Sequence, residues 1–128
     1  MAARERIAIL GPGKAGTAVG HLLAKAGHEI TAVAGRRLEA ARLAAALTGG
    51  AATTDFAEAA RGADCVFITT SDDAIETVCN TVAAGGGFRK GMKVAHVSGA
   101  GGLGLLRAAR RRGCRVGCIH PLQTFADV

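Results

Sequence analysis

The sequence has no tryptophan, no tyrosine and only four phenylalanines, which leaves too few flat rings for a surface that stacks nucleic-acid bases. Its four cysteines, Cys65, Cys79, Cys114 and Cys118, form no C-x-x-C pair and no zinc-finger spacing. Cys114 and Cys118 fall four positions apart on one expected strand, too far to serve with His120 as ligands of one ion. No apolar run approaches the roughly 20 residues of a membrane span. The run after Met-Ala-Ala-Arg-Glu-Arg is too brief for a signal-peptide core. A cytoplasmic protein with reduced thiols and no membrane partner is expected.

Acid is scarce in one region only. Residues 89–128 carry eight Lys/Arg against Asp127 alone, whereas residues 1–88 carry eight against nine Asp/Glu. A polyanion-binding surface would have to lie in that last third. Arg107, Arg110 and Arg111, however, share one helical face near a helix C-terminus, whose dipole favours cations. They read as a solvated face, and no nucleic-acid partner is expected.

Small residues dominate what is present: 28 alanines and 19 glycines in 128 positions. The length suits one domain. Leu, Ile, Val and Phe supply 29 residues, above the roughly 20% level below which chains stay disordered. Short apolar runs alternate with longer helical patterns, with glycine at most boundaries. Strands are predicted at Ile7–Leu10, Glu29–Ala34, Ala51–Thr53, Cys65–Ile68, Lys93–Val97 and Cys114–Ile119. Helices are predicted from Lys14 to about Ala26, Leu38 to Leu47, after Asp55 to Gly62, about Asp73 to Ala84 and Leu103 to Arg112. Asp55 is a candidate N-cap, and Asp73 with Glu76 a candidate capping box. Strands with little alternation suit a parallel sheet covered on both faces. With right-handed crossovers this predicts an α/β, doubly wound parallel sheet of about six strands in the order 3-2-1-4-5-6.

Gly11-Pro12-Gly13-Lys14-Ala15-Gly16 matches G-x-G-x-x-G between the first strand and first helix. The first glycine permits the tight turn, the second lets backbone approach a pyrophosphate, and the third lets helix and strand pack closely. The helix N-terminus adds free N–H groups and partial positive charge. Dinucleotide binding is the reading favoured over a purely structural turn. An NAD site usually places an acid at the end of the second strand for the ribose 2′-hydroxyl. Here that strand ends Val33-Ala34-Gly35-Arg36-Arg37. The two arginines suit a 2′-phosphate through forked, charge-assisted hydrogen bonds, which predicts NADP(H).

Thr69-Thr70-Ser71-Asp72-Asp73 follows the fourth strand, where Thr70 and Ser71 would border the cofactor or the polar residues would cap a helix. After the fifth strand, Ser98 in His96-Val97-Ser98-Gly99-Ala100 is a candidate polar contact or a turn serine. His96, inside the strand, reads as a hydrogen-bonded core residue. His120, ahead of Pro121, is a candidate acid/base or substrate-binding group, or else a structural residue of a proline turn. His21 and His28 are assigned no function.

Taken in order, Gly11 to Gly16, Ala34 to Arg37, Thr69 to Asp73, His96 to Gly99 and His120-Pro121-Leu122-Gln123-Thr124-Phe125 resemble the Rossmann-like oxidoreductases that carry a C-terminal helical domain of unknown function. These belong to the broader 6-phosphogluconate dehydrogenase-like group. The resemblance implies NADP(H) bound by Gly11, Gly13, Gly16, Arg36 and Arg37, and a nicotinamide-facing edge around Thr70, Ser98 and His120, with Ser98 and His120 the candidate catalytic residues. Such proteins continue into a helical domain that dimerises and closes the substrate cleft. Residues 1–119 are therefore expected to form the cofactor domain, and residues 120–128 to begin a linker towards a substrate domain. The expected function is hydride transfer between nicotinamide and a small carbonyl, imine or hydroxy substrate, with a homodimer or a helical substrate domain as partner. A non-catalytic module that senses a dinucleotide through a partner is the alternative.

Overall fold

The computed structural model describes residues 4–97 and 101–118. Six strands, β1 (Arg6–Leu10), β2 (Glu29–Ala34), β3 (Ala51–Thr53), β4 (Cys65–Ile68), β5 (Lys93–His96) and β6 (Arg115–Cys118), pair in parallel in the order β3-β2-β1-β4-β5-β6. Between them run α1 (Lys14–Lys25), α2 (Leu38–Thr48), α3 (Phe56–Arg61), α4 (Ile75–Ala84) and α5 (Arg107–Arg111). The expected order 3-2-1-4-5-6 is the order found. Among the described residues, no helix is long and apolar enough to cross a membrane.

Successive residues of a strand point to opposite faces, and here both faces are apolar. Ile7 and Ile9 pack with Ile30, Val33 and Phe67 against Val19 of α1 and Ala44 of α2. Ala8 and Leu10 pack with Val66, Ile68 and Val94 under residues of α3, α4 and α5. Each large aliphatic buried this way contributes about 1.5–3 kcal/mol. The small residues let the layers close: a Cβ on Gly20 of α1 would stand 2.8 Å from Thr48 Cγ2 of α2.

Three local expectations are corrected. The Asp73–Glu76 capping box does not form: Asp72–Ala74 make a 3₁₀ turn in which Ala74 N–H donates to Ser71 O at 2.9 Å, and no side chain caps α4. The carbonyls of Ser71 and Asp72 take the N–H groups of Ala74 and Ile75, so the chain enters α4 through this turn and Ala74, not Asp73, stands at the N-cap. The helix expected from Leu103 to Arg112 divides into a 3₁₀ segment, Leu103–Leu106, and the short α5. Gly104 lies in the first part, and glycine disfavours α-helix by about 1 kcal/mol. β6 starts at Arg115 because Cys114 N–H closes the end of α5 on Ala109 O, at 3.2 Å. Asp55 does cap α3, its Oδ1 accepting from Glu58 N–H at 3.0 Å.

The amino edge of the sheet is tied by ion pairs. Arg6 and Arg89 both donate to Asp64 Oδ1 at 3.1 Å, and Lys93 Nζ donates to Glu5 Oε1 at 2.6 Å. Hydrogen bonding from Arg6 holds the Asp64 carboxyl below the usual carboxylate range. His28 Nδ1 accepts from Glu5 N–H at 3.1 Å, which ties the start of β2 to the chain ahead of β1.

Candidate functional site

All six strands deliver their carboxyl ends to one edge, and the order reverses between β1 and β4, so the crevice for a ligand opens there. At that point β1 gives way to Gly11, whose φ of +125° is a conformation that L side chains rarely adopt. Its N–H donates to Ala34 O of β2 at 2.9 Å. A Cβ on Gly11 would lie 2.7 Å from the backbone of Thr69 and Thr70. A Cβ on Gly16 would collide with Gly11 O and lie 2.5 Å from Thr69 Oγ1. Gly13 differs from both. A Cβ there would meet nothing within 4 Å, so packing gives no reason for glycine at this position.

Thr69 is the strap of the loop. It is buried, and its Oγ1 donates to Gly11 O at 2.8 Å while its N–H donates to Leu10 O at 2.8 Å. The turn is also held from α1, where Thr17 N–H donates to Gly13 O at 2.9 Å. No side chain caps α1, whose N-cap is Gly13, so its first-turn N–H groups remain available to an anion.

Beside the loop, β2 runs out through Gly35, where a Cβ would lie 2.6 Å from Pro12 Cγ. That contact sets Arg36 and Arg37 next to the glycine turn. Both are exposed, and Arg37 is the N-cap of α2 without any capping bond from its side chain. Neither pairs with an acid among the described residues.

A groove of about 350 Å³ joins these parts. It gathers eight of the expected cofactor residues: Gly11, Pro12 and Gly13 from the turn, Gly35, Arg36 and Arg37 from the end of β2, and Thr70 and Ser71 from the loop after β4. Lys14 and Ala15 are exposed in the first turn of α1, outside this groove, and Gly16 is buried beneath it. Lys14 instead borders a larger, mostly apolar hollow of about 710 Å³ that runs along α1 to His21 and Leu47. That hollow has neither the arginines nor the strand ends, so the smaller groove is the better candidate. Ser98 and His120 lie outside the described residues. His96 is fully buried, and its ring is held by Gly102 O at 3.0 Å from Nε2, as expected of a core histidine.

Five groove residues, Thr69, Phe56, Ala40, Ala74 and Val78, carry no signal in the sequence. Thr69 was grouped with its loop, but nothing local marks it as the residue that clamps Gly11. Phe56, at the start of α3, forms an apolar wall with Ala40, Ala74 and Val78; a lone phenylalanine after a capping aspartate gives no signal of that role. Among the described residues no group of His, Cys, Asp or Glu could hold a metal ion.

A glycine turn and an uncapped helix at the reversal point of a parallel sheet define the nucleotide-binding class of doubly wound α/β domains. Within that class, the chain belongs to the Rossmann-like domain family, which matches residues 1–121. No curated protein matches it by sequence. Solved structures do match. One is a protein from Bacteroides fragilis designated an NADP oxidoreductase, with 18% identity, a TM-score of 0.71, and 96% of this chain and 63% of that one covered. A second is an imine reductase variant from Myxococcus stipitatus in complex with NAD+, with 20% identity, a TM-score of 0.71 and coverage of 93% and 43%. A third is 3-hydroxyisobutyrate dehydrogenase from Mycobacterium tuberculosis, with 23% identity, a TM-score of 0.75 and coverage of 92% and 40%. The chain thus spans 40–63% of the length of these three structures.

Proposed function

We propose that this chain is the NADP(H)-binding domain of an oxidoreductase that moves a hydride between nicotinamide and a small carbonyl, imine or hydroxy substrate. The observation that carries the reading is the pairing of Gly13 with the end of β2. Gly13 leaves open space in front of an uncapped helix, and the adjacent strand ends in two exposed arginines that form no ion pair among the described residues. Backbone N–H groups of the first turn of α1 would hold the pyrophosphate. Arg36 and Arg37 would hold the ribose 2′-phosphate, which an acid at the same place would repel. The apolar wall around Phe56 suits the adenine ring. The bound nicotinamide would supply the hydride chemistry. Ser98 and His120 are proposed to orient the substrate and to exchange its proton.

In this reading residues 1–119 are the cofactor domain and residues 120–128 begin a linker towards a C-terminal substrate domain. The named activities of the structural neighbours support the reaction class. The test is fluorescence titration with NADPH and NADH, which the absence of Trp and Tyr keeps free of protein emission. NADPH is expected to bind at least about tenfold tighter, a difference of about 1.4 kcal/mol. Arg36→Ala with Arg37→Ala should remove most of that preference. Equal affinity for the two, or binding of neither, refutes the NADP assignment. Tight binding without turnover of any carbonyl or imine in the complete protein would favour a sensing module instead.

A further inference from the structure

The strands β5 and β6 bring together two side chains that the cofactor groove does not use. Parallel pairing sets His96 opposite Cys118, and His96 is also opposite Ile68 of β4. Cys118 therefore lies at the same carboxyl edge as the groove, about 10 Å from the end of β4 at two strand spacings.

The His96 ring is fully buried, and its Nε2 lies 3.0 Å from Gly102 O. A carbonyl oxygen only accepts, so Nε2 carries a proton and Nδ1 is the ring nitrogen that faces the sulfur. Nδ1 is 3.8 Å from Cys118 Sγ, a sulfur hydrogen-bond distance, and the same sulfur donates to Gly101 O at 3.9 Å. A nucleophile, a base beside it and a third group fixing the base is the arrangement by which thiols are activated. Cys118 is exposed, while Cys65, Cys79 and Cys114 are buried. Burial pushes the thiols of all three upward, Cys65 to about 11, so they stay protonated and shielded at neutral pH.

We propose that Cys118 and His96 form a reactive thiol–imidazole pair, a modification site at which small disulfides add covalently to the chain. The Cys118 proton passes to His96 Nδ1 as Sγ attacks one sulfur of the disulfide. The disulfide bond breaks, a mixed disulfide forms on Cys118, and the departing thiolate takes up the proton. One disulfide is exchanged for another, so no further oxidant is needed.

The experiment uses oxidised glutathione at neutral pH, with mass spectrometry to place and time the adduct, and N-acetylcysteine amide as the reference thiol. The folded protein should take up one glutathione, on Cys118, about tenfold faster than the reference. Cys118→Ser should abolish uptake. His96→Asn keeps an oxygen acceptor near the thiol but removes the base, and should bring the rate down to that of the reference with the thermal melt retained. The proposal is overturned if Cys118 reacts no faster than the reference or if a buried cysteine reacts first. It is also overturned if His96→Asn melts like the parent and keeps its rate. Should His96→Asn unfold, the comparison of the parent with the reference thiol decides.

Discussion

Gly13 and Gly16 stand three residues apart in one motif, yet substitution should harm them in opposite ways. At Gly13, φ is −74° and ψ −167°, extended backbone open to any residue, and a methyl would touch nothing within 4 Å. Gly13→Ala gives up some N-cap preference, and the stiffer unfolded chain returns about 0.4–1 kcal/mol, so stability should move by less than about 1 kcal/mol. For a domain of this size that is a shift of about 3–5 °C at most. The same methyl stands where a pyrophosphate must approach, so NADPH affinity should fall at least about tenfold, or about 1.4 kcal/mol. At Gly16 a methyl runs into the Gly11 carbonyl and Thr69 Oγ1. Alanine gains about 1 kcal/mol of helix propensity, but overpacking against backbone costs up to about 3 kcal/mol and cannot be relieved by a rotamer change. Gly16→Ala should therefore lower the melting temperature by about 5 °C or more. Far-UV circular dichroism melts and NADPH titrations on both variants separate the two effects. The reasoning fails if Gly13→Ala binds NADPH like the parent, or if Gly16→Ala melts with it.

Thr69→Val keeps the shape but removes the donor to Gly11 O; it should cost about 1–2 kcal/mol and weaken NADPH binding, read by denaturant titration and fluorescence. If the variant is as stable as the parent, Thr69 is not the strap. Cys65 gives a pH signature, since burial raises its thiol from 9.0 to about 11. Because the folded value is the higher one, its contribution is complete below pH 9 and is lost as pH rises towards 11. Cys65→Ala should flatten the alkaline limb of stability by on the order of 2 kcal/mol, seen as a shallower fall of melting temperature over that window. An unchanged slope would assign the limb to other groups.

Much of the fold was legible because the strands carry apolar residues on both faces and glycine marks their ends. Ile7 to Leu10 could hardly be anything but a central parallel strand once a glycine turn and helix followed. The groove was legible where one residue type has one physical use, as with Gly11 and its positive φ. It was not legible where the partner lies far along the chain. Thr69 clamps Gly11 across 58 positions, and His96 meets Cys118 only because β5 and β6 pair in that register. The Asp73–Glu76 box misled for a different reason: its spacing is right, but Asp72–Ala74 form a 3₁₀ turn and α4 begins only at Ile75, with Ala74 as its N-cap. Helix ends are decided by whichever acceptor is nearest, and backbone carbonyls are always present.

The distribution of charge argues most directly for an anionic ligand. The net charge of +6 is not spread evenly over the structure's needs. At the amino edge, Arg6, Arg89 and Lys93 are each bonded to a carboxylate, Asp64 or Glu5. Arg89 also donates to the carbonyls of Arg61 and Ala63, so two cations of the basic last third serve to close that edge. Arg36 and Arg37 form no ion pair among the described residues. They sit at the start of a helix, where the dipole disfavours cations, and α2 would gain from an acid or a capping side chain in their place. A position that local electrostatics would fill otherwise is explained by something that arrives from outside. The negative charge that would repay it belongs next to the glycine turn, where Gly13 has left the space.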